Sequence, residues 1–461
     1  MRCFALLLLV SASALAATPA TTNNDDSCDI ALQPAATLLL PYFEVDFKSP
    51  PESAATTLFT IQNVSRYPQI AHVVVWTDWS FPALDFNIFL TGYDVQGINL
   101  YDIFAHAVIA PGRAVSGTSS NTTVPTNRTP GSQPADNNAN PNISNLSFCG
   151  NLPGLFSSQL QKELQLIFTT GKATGAAIPC TAQAGGVHSN AIGYATIDVV
   201  SSCHFNLPTE AGYFDLILYD NVLTGDYQQV VPRGAKSYAL GGPLVHIRAI
   251  PEGGPAGAQV ASNLPYTFYD LYTTALPNRT ADRRQPLPSV FAPRFINGGE
   301  NAFNASLKIW REGMAAGTCS RASSNSNLQI ADIVRFDEHE NAEIVSSYCN
   351  TLCLPGSPGL PTTSSISTSY SYILPPLTTS GDVGGWLYLN LNNGGSTAYS
   401  AAGGRDFRTN SSTTIGVRQS QNWVVTSMFA EPTYAVDATA IAMGNGCSPS
   451  PKAGAQVGPV P

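Results

Sequence analysis

The sequence predicts a mainly β protein, built from antiparallel β-sandwich units with one covering helix and long low-complexity loops. Three observations carry that expectation. In Thr56–Asp94 three strand-like runs follow one another with turn chemistry between them; in the third, Leu84, Phe86, Ile88 and Leu90 alternate with Asp85 and Asn87, the period of a strand with one face buried. Similar short runs, separated by Pro, Gly, Asn and Asp, recur along most of the chain. Only one stretch carries apolar residues at a clean helical spacing.

The chain has 461 residues, 43% of them hydrophobic, enough to bury a substantial core. Charged residues are only 11%, against about 25% in a typical soluble domain. Solubility must therefore rest on Ser, Thr, Asn and Gly, a choice suited to exported β proteins. The net charge is -9 and no Lys/Arg stripe is present, so nucleic acid and anionic membrane surfaces are poor partners.

Residues 1–16 read as a signal peptide: Arg2, the apolar run Phe4–Val10, and Ala14-Leu15-Ala16 as a small-residue cleavage site. No later stretch reaches the roughly 18 apolar residues of a transmembrane helix. The expected location is therefore periplasmic, cell-surface or secreted. Cleavage removes Cys3 and leaves Cys28, Cys149, Cys180, Cys203, Cys319, Cys349, Cys353 and Cys447. An even set in an exported chain points to disulfides. Local pairing is expected among Cys149, Cys180 and Cys203, and again among Cys319, Cys349 and Cys353. Cys28 and Cys447 are placed to tie the ends together.

A first sandwich region is expected over 30–110. Thr37–Phe47 gives its first strand, interrupted by Pro41, and Gly97–Phe104 continues the sheet. Residues 111–147 are dominated by Ser, Thr, Asn, Pro and Gly, the composition of a flexible loop. They hold Asn-x-Ser/Thr sites at Asn121, Asn127, Asn142 and Asn145. A central β-rich region follows over 148–350. It opens with the helix near 155–170, where Phe156, Leu160, Leu164, Ile167 and Phe168 share a face, Ser157 or Ser158 caps the start and Gly171 the end. Strand patterns resume at Asn190–Ser201, Tyr213–Tyr219, Tyr227–Val231 and Leu244–Ile250, and Pro265–Leu276 reads as a short helix. Residues 351–380 form a Pro/Ser/Thr-rich linker or loop. Strands over 381–447 complete the sheet, and 448–461 form a Gly/Pro-rich disordered tail.

Several phrases, among them LLPYFEVDF, AHVVVWTDWS, LDFNIFLTGYDVQ and QNWVVTSMFAE, resemble a family of exported bacterial proteins of unassigned function. That resemblance implies no catalytic residues. More loosely, TLFTIQNVS followed by HVVVW is similar to paired strands of immunoglobulin-like sandwiches, which implies fold alone.

The densest group of chemically distinctive side chains is Trp76, Asp78, Trp79, Asp85, Tyr93, Asp94 and Asp102. Aromatic faces beside carboxylates suit a glycan, and the same carboxylates could hold Ca²⁺, although no Asp-x-Asp-x-Asp loop fixes the ligand spacing. The competing reading is that Asp fills turns and Trp packs in the core. No other cofactor is implied. Glycoside hydrolysis would need two carboxyl groups about 5–9.5 Å apart, with Asp78 and Asp85, or Asp337 and Glu340, as candidates. Scattered histidines, and the lack of His-Glu-x-x-His, Gly-x-Ser-x-Gly and phosphate-loop motifs, leave other chemistries without support. The leading expectation is a non-enzymatic cell-surface or secreted structural or binding protein, with a glycan as the candidate ligand, then a carbohydrate-active hydrolase. An outer-membrane β-barrel comes third, because strands such as His72–Trp79 lack its apolar/polar alternation.

Overall fold

The computed structural model describes residues 32–109, 156–233, 236–249, 267–269, 272, 284–288, 290–300, 303–312, 332–347, 369–373, 384–390, 421–430, 434–439 and 441–442. The signal peptide, the 111–147 loop, the tail and six of the eight cysteines lie outside them. Cys180 and Cys203 are buried and disulfide-bonded; with which cysteines they pair also falls outside the described residues.

The protein is mainly β, and its sheets are antiparallel. The first nine strands are β1 (Thr37–Val45), β2 (Thr56–Asn63), β3 (Gln69–Thr77), β4 (Pro82–Leu90), β5 (Val95–Asn99), β6 (Ala191–Val200), β7 (Leu223–Arg233), β8 (Lys236–Pro243) and β9 (Val245–Ile247). They form two sheets: a central sheet ordered β4-β3-β6-β1-β9 and a front sheet ordered β5-β2-β7-β8. Consecutive strands β2 and β3 thus belong to different sheets.

Ten more follow: β10 (Val290–Ala292), β11 (Arg294–Ile296), β12 (Asn304–Arg311), β13 (Asp332–Asp337), β14 (Ala342–Ser347), β15 (Ser369–Ile373), β16 (Gly384–Asn390), β17 (Asn422–Ala430), β18 (Tyr434–Thr439) and β19 (Ile441–Ala442). They build a β15-β12-β17-β18 sheet and a β14-β13-β16-β10-β19 sheet, with β11 also pairing β16. β15 falls within the stretch expected to be a linker and pairs with β12 from Ser306↔Ile373 to Trp310↔Ser369. Among the described residues the pairings run as open paths, and β8 and β18, end strands of two different sheets, lie against each other.

The central sheet is buried on both faces, as its strand sequences require. β3 is QIAHVVVWT and β1 is TLLLPYFEV, apolar on both parities, and every residue of β3 is buried. One face carries Leu38, Leu40, Phe43, Val73, Val75, Phe86, Ile88, Ile197 and Val199. The front sheet covers it with Phe59, Ile61, Ile98 and Tyr227. An α-helix, α1 (Ser158–Thr170), adds Leu164, Ile167 and Phe168 to the same core, where Phe168 packs on Phe43 and Phe104. Ser157 Oγ accepts from Leu160 N at 3.1 Å and caps the helix. Gly171 ends it at φ 72°, where a Cβ would meet Gly185 O at 1.9 Å. Pro41 sits in a register shift of β1, between Leu40 and Phe43, an interruption of the ladder where proline is tolerated.

The opposite face carries Leu39, Ile70, Val74, Trp76 and Tyr194, covered by Phe214, Tyr269 and Tyr272 and by Trp310 and Trp423 from β12 and β17. Trp310 and Trp423 stack at 6.0 Å, and Tyr194 meets Trp423 edge-on at 5.0 Å. Trp423 Nε1 donates to Pro41 O at 2.7 Å, across 382 positions of sequence. The second half of the chain therefore shares a core with the first.

Two local expectations are corrected. Gly97–Phe104 does not remain extended: β5 ends at Asn99 and a single π-helical turn spans Asp102–His106. Tyr213–Tyr219 is not a strand; Ala211–Asp215 forms a 3₁₀ turn and only Ile217 bridges to Val200. Its aromatic residues pack downward onto the central sheet, which supplied the apolar signal without the extended backbone. Of the helix expected over Pro265–Leu276 only Thr267–Tyr269 and Tyr272 are described, as turn or irregular backbone with Tyr272 N bonded to Tyr269 O at 2.9 Å; the rest lies outside the described residues. No helix among the described residues is long and apolar enough to cross a membrane.

Candidate functional site

The residues singled out from sequence do not form one surface. Trp76 is 1% exposed, with its indole nitrogen donating to Thr196 Oγ1 at 2.9 Å and its ring between Tyr194 and Tyr272. Trp79 is also buried. Neither indole offers a face for stacking a sugar. Tyr93 is 69% exposed, at φ 58° in the β4–β5 turn, where Asp94 accepts from the Thr91 and Val95 amides. Asp102 pairs with His106 on the π-helical turn.

Asp78 and Asp85 serve different neighbourhoods. Asp78 follows β3, is buried, and accepts from Gly186 N at 2.8 Å while its other oxygen meets His188 Nε2 at 2.9 Å. It fastens the loop after α1 to the central sheet. His188 is itself raised: burial opposes its charge, and the hydrogen bond and charge of Asp78 prevail. Asp85 lies on β4 opposite Val74, with Oδ2 4.0 Å from His72 Nε2. Burial, then the charge of Glu210, pushes its carboxyl up to about 7. The two carboxylates meet different neighbours, Asp78 the Gly186–His188 loop and Asp85 the His72 ring.

Asp85 and Asn87 reveal a feature that alternation alone hides: the polar parity of β4 faces a second buried layer. There, Asp198 of β6 is fully buried and accepts from Thr37 Oγ1, Tyr213 OH and Tyr269 OH. Fully buried Arg284 reaches it at 3.3 Å, donates to Thr37 Oγ1 and Leu218 O, and lies over the Tyr219 ring at 5.0 Å. Burial, then the adjacent Asp198 charge, keeps both tyrosine hydroxyls protonated far above their ordinary range. This is a satisfied structural ion pair, closed to solvent. Sequence reading missed Arg284, which stands beside Arg283 in the run TADRRQP, because nothing local marks it as internal.

Among the described residues, an open cleft of about 330 Å³ is lined by Ala292, Arg294, Asp337, Glu338, Glu340, Gly385 and Trp386. Cross-strand pairing assembles it: Trp386 of β16 lies opposite Arg294 on β11 and opposite Phe336 on β13, so the three side chains stand in a row on one sheet face. Phe336 stacks on Trp386 at 4.1 Å and 6°, which fixes the indole. Acidic residues come from the β13–β14 turn. Asp337 accepts from the His339 and Asn341 amides and from Asn341 Nδ2, each at 2.8 Å, and these bonds, the Asn341 side chain first, hold its carboxyl below the usual range. Glu338 accepts from Gly384 N at 2.7 Å. A Cβ at Gly385 would lie 2.0 Å from Phe336 O. Gly385→Ala is therefore expected to push β13 from β16 and cost about 1–3 kcal/mol; an unchanged urea midpoint would contradict this reading.

Of the five tryptophans, Trp386 alone is not buried. Among the described residues no group of three or more His, Cys, Asp or Glu is placed to hold a metal ion, so the carboxylates considered for Ca²⁺ have no such arrangement there. No protein family, curated protein or solved structure matches the chain.

Proposed function

We propose that the chain is an exported, non-enzymatic binding protein, secreted or displayed at the cell surface, that takes a glycan in the Trp386 cleft. The observation that carries this reading is the pairing of the one accessible indole with Arg294 and three carboxylates in one depression. A ring braced from below by Phe336 can stack a pyranose, and charged groups at its rim accept and donate hydrogen bonds to hydroxyls. Export is supported by the signal-peptide pattern at 1–16, the low charge content, and the disulfide-bonded state of Cys180 and Cys203.

A binding role is preferred to hydrolysis because both oxygens of Asp337, the ionised member of the Asp337/Glu340 candidate pair, are committed to the His339 and Asn341 amides and the Asn341 side chain of its own turn. The mature protein is expected to give signal on a glycan array, and Trp386→Ala to lower that signal at least tenfold while far-UV circular dichroism stays unchanged. An array blank for the wild type, or unaffected by the substitution, overturns the proposal. Release of reducing ends from a bound glycan would favour the hydrolase instead.

A further inference from the structure

Two imidazoles meet inside the protein away from that cleft. His72 on β3 is fully buried, His204 on the loop after β6 is 6% exposed, and their rings stack at 4.3 Å and 28°. Hydrogen bonds fix the tautomers. Asn87 Nδ2 donates to His204 O at 2.7 Å, so Asn87 Oδ1, 2.9 Å from His72 Nδ1, is the acceptor and His72 Nδ1 carries the proton. His204 Nδ1 accepts from Asn206 N at 3.1 Å, so its proton is on Nε2. His72 Nε2 is left a bare acceptor and His204 Nε2 a bare donor. Both are buried without a protein partner, as is Asp85 Oδ2.

We propose that this stacked pair is an acid-sensitive latch, holding residues 204–210 against the β4 edge of the central sheet at neutral pH and releasing them on acidification. A proton added to His204 must enter at Nδ1, the atom that accepts the Asn206 amide, so two donors then face each other. A proton added to His72 enters at Nε2, where the nearest acceptor is Asp85 at 4.0 Å. Two charges would then lie one ring separation apart in a buried site.

The surrounding groups offset burial only in part: Asn87, the Asp198 charge and the Asn206 backbone favour a charged His72, and the Asn206 backbone a charged His204, yet burial prevails at both. From β4 come Asp85 and neutral Asn87. From β6 comes Asp198, already committed to Arg284, Thr37, Tyr213 and Tyr269. From the latched segment and the turn after it come Glu210 and the neutral phenol of Tyr213, whose ring lies 5.7 Å and 5.6 Å from the two imidazoles.

Burial holds His72 down to about 4 and, with the charge of His72, His204 to about 3. Released imidazoles titrate near 6.5, so the open state binds about two more protons between pH 6.5 and 4, and this stabilisation is lost as pH falls. Asp85, raised to about 7, acts oppositely over the same window, its share being lost as pH rises. The net is about one proton taken up on opening, or about tenfold in the opening equilibrium per pH unit.

The test is amide hydrogen exchange, read by mass spectrometry on the peptide covering 204–210 in the mature protein at pH 6.5 and 4.5, corrected for intrinsic chemistry. The wild type is expected to open about 100-fold more at pH 4.5. His204→Phe keeps a stacking ring but cannot be charged; it leaves one proton gained at His72 against one lost at Asp85, so its opening is expected to change less than threefold. An unchanged wild type, or the full 100-fold rise in His204→Phe, overturns the latch. Should His204→Phe not fold, the His72 and His204 Cε1–H shifts of the wild type decide: midpoints near 6.5 for both refute it, and midpoints below 5 uphold it.

Discussion

Replacing Arg284 by methionine will destabilise the fold by about 3–5 kcal/mol, one of the two largest effects expected from a single substitution here. The guanidinium is fully buried and its removal strands Asp198, also fully buried, among two phenols and a threonine hydroxyl. Hydrogen bonds from neutral donors remain, but they do not cancel a carboxylate's charge in a dry site. Asp198→Asn should be comparably damaging, because it leaves the arginine unpaired. The double variant Asp198→Leu with Arg284→Met should be more stable than the sum of the single changes, since both charges leave together. Urea denaturation followed by tryptophan fluorescence reads all three. A loss below 1 kcal/mol for Arg284→Met, or strict additivity in the double variant, would show that the pair contributes nothing specific.

Trp423→Ala should cost about 3–5 kcal/mol and, more tellingly, change the form of the unfolding transition. The indole touches Tyr194 and Trp310 and donates to Pro41 O inside the β1 register shift. Nearby, Gln421 Oε1 accepts from Leu287 N, its side-chain nitrogen donates to Thr267 O, and its backbone N donates to Glu312. These contacts join β12 and β17 to the central sheet. With the ring gone, Pro41 O loses its partner and the aromatic seam loses its centre, so the second half should melt before the first. Calorimetry is expected to show one endotherm for the wild type and two for Trp423→Ala. A variant that keeps a single peak at an unshifted temperature would mean that the seam is not what couples the halves. Trp423→Phe should retain coupling while losing the Pro41 hydrogen bond, at a cost of about 1–3 kcal/mol.

Sequence alone carried the main elements because each depends on nearest neighbours. Period-two alternation announced β4, and residues apolar on both parities announced β1 and β3. The capping serine and terminal glycine bounded α1 almost to the residue. The candidate site was much less legible. Trp76, Asp78 and Trp79 stand out by residue type, yet which tryptophan meets solvent depends on what covers it. The cover for Trp76 comes from Tyr272 and, through Tyr194, from Trp310 and Trp423, hundreds of residues later. Trp386 looked like an ordinary strand residue, and only its pairing with Arg294 and Phe336 makes it the wall of a cleft.

Local backbone preference and side-chain period thus determined that this chain would be β, where most strands would run, and where its helix would start and stop. Tertiary structure decided that the polar parity of β4 faces inward, that Arg284 neutralises Asp198, and that the accessible indole belongs to β16. The physical reason is that burial and charge compensation are set by partners far away in the chain, whereas strand alternation and helix caps are written within a few residues of where they act.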